Sequence, residues 1–146
     1  MALLQISEPG ESPAPHQRRL AVGIDLGTTH SLVASVRSSV AEVLPDELGR
    51  HLVPSAVLYQ AGGTALVGVE ALAQQAQHPL DTLVSVKRLM GRSYDDALAS
   101  GMPFNFVPDS QSVKIHTSQA DVSPVEVAAK ILEKLKFLAE GTLGDE

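Results

Sequence analysis

The sequence predicts an α/β domain made of β-hairpins packed by helices, and three observations carry that prediction. Short runs of Val, Leu, Ile and Ala alternate with turn clusters from residue 20 to residue 67. Helix-like stretches then take over, as in "VEALAQQAQ" and "RSYDDALAS". The chain finally presents a long stripe of apolar residues at helical spacing after a clear helix-start signal at Ser123.

The elements follow in order. Residues 1–19 include the proline-rich, mostly polar "EPGESPAPHQRR" and read as a flexible leader; residues 20–146 form the folded part. A first strand is expected from Leu20 to Asp25 and a second from Ser31 to Val36, joined by a tight turn holding Gly27, Thr28 and Thr29. Val43 and Leu44 end a further strand, "PDELGR" is a turn and "HLVPSAVLY" is the return strand. Pro45 and Pro54 mark strand ends or edges, because proline cannot donate to a ladder.

"GGTALVG" is a turn and a short strand, and "VEALAQQAQ" is a helix that stops before Pro79. Residues 80–90 read as a second short helix closed by Gly91, and "RSYDDALAS" as another. The stretch from Gly101 to Asp109 is loop-like, and "SVKIHT" is a strand. In the last element, Ser123 is the N-cap, Pro124 the first helical residue and Glu126 the reciprocal partner of a capping box. Ala128, Ile131, Leu132, Leu135, Leu138 and Ala139 make its stripe, and Gly141 ends it.

Bulk properties exclude several classes. With 146 residues and 44% hydrophobic content the chain has material for a packed core, built from aliphatic residues because aromatics are only 3%. The net charge of −6 and the lack of a Lys/Arg stripe argue against nucleic-acid binding. Without cysteine there are no disulfides, thiolate metal sites or cysteine nucleophiles. No apolar run is long enough to span a membrane, and "MALLQIS" lacks the charge of a signal peptide, so the expected location is cytoplasmic.

The chemistry concentrates in "GIDLGTTHS", residues 23–31. A tight Gly-Thr-Thr turn aims several backbone N–H groups in one direction, and such a nest binds phosphate. Gly27 permits close approach, and the hydroxyls of Thr28 and Thr29 add donors. Asp25 would repel a phosphate, but it suits a hydrated Mg²⁺ held through water. The same pattern also serves as an ordinary polar turn, so the spacing alone leaves both readings open. "SVKRLMGR", residues 85–92, is the second candidate. Lys87 within an apolar context could reach a γ-phosphate and orient an attacking water, or it could simply snorkel from an amphipathic helix beside Arg88 and Arg92.

"GIDLGTTHSLVA", "VPSAV" and "VKRLMGR", in this order and spacing, resemble the N-terminal part of the seventy-kilodalton heat-shock chaperones, the DnaK type, over residues 20–140. The leader "MALLQISEPGESPAPHQRRLAVGIDLGTTHS" looks most like the HscA branch, which serves iron–sulfur cluster assembly. The resemblance implies the actin-like ATPase fold, first lobe only, truncated, with a mixed β-sheet and β-hairpins packed by helices. It implies ATP/ADP and Mg as ligands. Asp25 then lies near the Mg²⁺ waters. Gly27, Thr28, Thr29 and the amide of His30 hold phosphates. Lys87 is the catalytic lysine, and Arg88 and Arg92 are supporting. His30 departs from the family, which usually carries Asn or an aromatic there.

Further implied partners are a J-protein co-chaperone (HscB-like) and an iron–sulfur scaffold (IscU-like), with neither nucleic acid nor membrane. The second phosphate loop of the family, "DLGGGT", does not occur in this sequence. A phosphate clamp works by closing from two sides, so this chain alone is expected to bind nucleotide weakly and to hydrolyse it negligibly. Two other readings stand beside this one: a partner-binding module without ATPase activity, and another actin-like ATPase such as a sugar kinase.

Overall fold

The structure, a computed structural model, describes residues 20–108 and 110–144. The leader expected over residues 1–19 and the last residue of the 101–109 loop lie outside them.

The first sheet grows from one hairpin. Strands β1 (Val22–Leu26) and β2 (His30–Arg37) pair antiparallel, with Ile24 opposite Val33 and Leu26 opposite Ser31. They occupy nearly the expected positions, displaced by one or two residues at the ends. On its other side β2 pairs with β3 (Val40–Val43) and then with β4 (Val53–Pro54). The link from β2 to β3 is a two-residue turn with both Ser38 and Ser39 left-handed, at φ 50° and 65°. That geometry matches the twist of the paired strands.

The return strand expected over "HLVPSAVLY" is corrected. It breaks at Ser55 into β4 and β5 (Ala56–Tyr59), which belong to different sheets. Strand β3 therefore pairs with β2 and not with the segment after the "PDELGR" turn. Pro54 sits at the tip of an edge strand, where its missing N–H costs the ladder nothing.

In the second sheet β5 is central, flanked by β6 (Ala65–Val67) and β7 (Thr82–Val84). Here the helix expected over residues 80–90 is corrected. Thr82, Leu83 and Val84 extend along β5, and Ser85 at φ 57° then turns the chain into a single 3₁₀ turn, Val86–Leu89. β-branched residues with an open sheet edge beside them favour the strand. A third sheet joins β8 (Asn105–Phe106), β9 (Ile115–His116) and β10 (Asp121–Val122). Among the described residues every strand pairing is antiparallel, so the mixed sheet expected is three antiparallel sheets. The α/β class stands. Short turns force this for the β1–β2, β2–β3, β5–β6 and β9–β10 pairs, since parallel neighbours need a long crossover.

The helices are α1 (Val69–Ala73), α2 (Tyr94–Ala99) and α3 (Pro124–Leu143). Helix α1 is shorter than the expected "VEALAQQAQ"; the chain leaves helical geometry after Gln74. Helices α2 and α3 each begin with a complete capping box, Ser93 with Asp96 and Ser123 with Glu126. Helix α3 runs through Gly141 to Leu143, past the expected stop, because Leu143 is buried and its packing outweighs the glycine's poor propensity. Its inward stripe is Val127, Ile131, Leu135, Leu138, Ala139 and Leu143. Leu132, expected on that stripe, is exposed, and Ala128 is half-buried.

That stripe packs against β1, β2, β5, β6 and the 3₁₀ turn, and the main core cluster draws residues from all three sheets. Leu83, Leu89, Ile115 and Leu135 are almost wholly buried in it. Each contributes about 1.5–3 kcal/mol of burial. Among the described residues the outer side of β1 is a sheet edge, and Val22 and Ile24 line an apolar groove with the exposed flank of α3. Among the described residues no helix is long and apolar enough to cross a membrane.

Candidate functional site

The turn between β1 and β2 is held from three directions. Gly27 is the first constraint. A Cβ placed on it would fall on the carbonyl oxygen of His30, far inside contact distance, so only glycine lets the chain double back there. Ser55 supplies the second. Its hydroxyl donates to the Gly27 carbonyl at 2.8 Å and its backbone N–H donates to the Thr29 carbonyl at 2.8 Å. Ser31 completes the buried hydroxyl pair, with its Oγ 2.9 Å from that of Ser55. Because the Ser55 proton is committed to Gly27, Ser31 is the donor in that pair.

The third constraint comes from a distant segment. Lys87, on the 3₁₀ turn, donates from Nζ to the Leu26 carbonyl at 2.7 Å, across 61 residues of sequence. Ser85 in its left-handed conformation redirects the chain out of β7 just before the lysine. Val86 and Leu89 on either side are buried and seat the turn in the core, leaving Lys87 exposed. The start of α3, at Pro124 and Val127, closes a small crevice with Leu26, Gly27 and Lys87.

The structure therefore brings Gly27, Thr28, Thr29, His30 and Lys87 to one end of the first sheet. Asp25 lies one residue before the end of β1, exposed and opposite Leu32. Thr28 is half-buried; Thr29 and His30 are exposed. His30 opens β2 and faces Pro54 across the ladder. Arg88 and Arg92 do not join the cluster: among the described residues neither makes a hydrogen bond or ion pair with the turn. Arg92 instead lies near Asp96 at the start of α2, where its charge helps hold that carboxyl low after the larger effect of the Ser93 hydroxyl and amide.

The donor set suits an anion: fixed amides, two hydroxyls, one ammonium group and a glycine with no room for a side chain. A single carboxylate, Asp25, stands beside it. Among the described residues no three acidic or histidine side chains gather as a metal cage, so any cation here would keep most of its waters. The apolar groove between β1 and α3 is lined by no residue of the turn.

Three serines escaped the sequence reasoning: Ser31, Ser55 and Ser85. "VPSAV" was visible as a motif, yet nothing local says that its serine bonds a turn 28 residues earlier. The available signal was a lone small polar residue inside an apolar run.

The family model described as Hsp70 protein matches residues 21–146. The chaperone protein HscA homolog of Bordetella pertussis is 64% identical over 146 residues, covering 100% of this chain and 24% of that protein. The homologs of Bordetella petrii and Ralstonia pickettii are 63% and 60% identical, again covering 100% of this chain and 24% of each relative. The chain thus spans 24% of the length of these curated relatives.

Proposed function

The chain belongs to the Hsp70 protein family, and on that premise we propose that it forms the phosphate-gripping first lobe of the ATPase unit of a chaperone of the HscA kind. The observation that carries this reading is the bond from Lys87 Nζ to the Leu26 carbonyl, which joins the two candidate motifs at one place. The lysine reaches the turn from the 3₁₀ turn that follows β7 of the second sheet.

The roles follow from chemistry. The amides of Thr28, Thr29 and His30 would take phosphate oxygens, and the threonine hydroxyls would add donors. Lys87 would exchange its carbonyl partner for the terminal phosphate and orient the attacking water there. Asp25 would hold Mg²⁺ through water, and the ion would neutralise charge on the phosphates. Arg88 and Arg92 keep at most a long-range electrostatic role. In this reading the longer protein works in the cytoplasm on iron–sulfur cluster assembly with a J-protein co-chaperone and a scaffold protein, using ATP/ADP and Mg. The sugar-kinase reading loses its support, because the family match is to Hsp70. The partner-binding reading remains the rival.

Calorimetric titration of the chain with Mg·ATP separates the two. The expected result is weak, saturable binding that is further weakened in Asp25→Asn and Lys87→Ala. Folded protein showing no heat at high nucleotide concentration would overturn the reading for this chain.

A further inference from the structure

We propose that Ser55 is a positioning residue for the phosphate turn: by holding the carbonyls of Gly27 and Thr29, it aims the amides that follow them. The inference rests on the phosphate reading above and adds a residue to it. A trans peptide points its N–H opposite to its C=O. Fixing the Gly27 carbonyl toward Ser55 therefore turns the Thr28 N–H away, and fixing the Thr29 carbonyl does the same for His30. Two alternate peptide planes of one short turn are thus set by a single residue.

The serine is itself well anchored. It is buried, with 6% of its surface exposed, and lies at the break between β4 and β5, so both sheets fix its position. Ser31 donates into its oxygen, which sharpens the hydroxyl's aim at Gly27. The backbone N–H of position 55 extends the β2–β4 ladder to the Thr29 carbonyl, and the serine hydroxyl adds the second hold, on the Gly27 carbonyl. The ordering cost is met when the protein folds, before any anion arrives, and a site organised in advance binds with less loss.

The test uses ¹H–¹⁵N spectra and amide exchange of the 146-residue chain without ligand, followed by Mg·ATP titration. Ser55→Ala removes the hydroxyl bond to Gly27 and keeps the backbone N–H bond to Thr29, so it should shift the Thr28 amide resonance and speed its exchange by about tenfold, with the His30 amide moved far less and the α3 amides unmoved. Affinity for Mg·ATP should fall by about tenfold. If Ser55→Ala does not fold, Ser55→Cys, close in shape but a weak donor, gives the same readout. Turn amides unchanged in the folded variant would overturn the proposal. Should the parent chain show no Mg·ATP binding while the variant moves those amides, the phosphate reading fails and the positioning role stands.

Discussion

Lys87 Nζ sits 2.7 Å from the carbonyl oxygen of Leu26, the last residue of β1. The lysine is exposed, so this bond adds little to global stability; exposed polar contacts of this kind are worth about 0–1 kcal/mol. Its value is in placement. Lys87→Ala should leave the urea midpoint nearly unchanged and still weaken Mg·ATP binding measured by calorimetry. A large loss of stability with unchanged binding would make the lysine a structural strut.

Gly27→Ala should be costly where Gly23→Ala is not. At position 27 the new methyl meets the His30 carbonyl, whereas at position 23 nothing lies within 4 Å. Forcing the turn apart should cost about 1–3 kcal/mol, and the Gly23 variant should stay within about 0.5 kcal/mol of the parent. Paired urea denaturation curves decide it.

Acid should weaken the start of α3. Glu126 is held below its ordinary value near 4.5, first by the Ser123 amide and then by its hydroxyl. A carboxyl lowered by folding stabilises the protein fully above that ordinary value, and the contribution fades as pH falls through the lower folded value. The stability gap between the parent and Glu126→Ala should therefore be clear near neutrality and shrink below pH 4.5. Ser123→Ala should cost about 1 kcal/mol by removing the cap.

Alkali should act through Tyr59. Burial, helped by the nearby carboxylates of Glu126 and Glu133, pushes its phenol up to about 12. Folding thus favours the neutral phenol: the associated stability is intact below the ordinary value of 10 and is lost as pH rises from there to about 12. Tyr59→Phe should remove that part of the alkaline destabilisation, as read from thermal midpoints across the interval.

What the sequence disclosed was what its neighbours enforce. The β1–β2 hairpin, the cap at Ser123 and the Gly-Thr-Thr turn are local, and each has a local signature; the Ser93 cap was equally local and was read only as part of a helix. The errors fell where a distant strand decided. Thr82–Val84 became a strand because β5 was available to pair. "HLVPSAVLY" broke in two because β2 claimed one half and two other strands claimed the rest. The Ser38–Ser39 turn was missed because left-handed serines are uncommon and the usual glycine or asparagine was absent. At the candidate site, Gly27, the threonines and Lys87 were singled out from motif and chemistry, and the fold brings them to one end of the first sheet. Ser55 was not, since its partners are set by the fold alone.

The two tethers on the turn also order events in time. The β1–β2 hairpin closes over a few residues and can form within microseconds. Its anchors bridge 28 and 61 residues, and contacts of that separation carry a larger closure entropy than the hairpin itself. A nascent or partly unfolded chain therefore carries the turn's sequence in the right local shape but with its carbonyls unclaimed. Full tethering of the turn therefore requires that the first two sheets have docked.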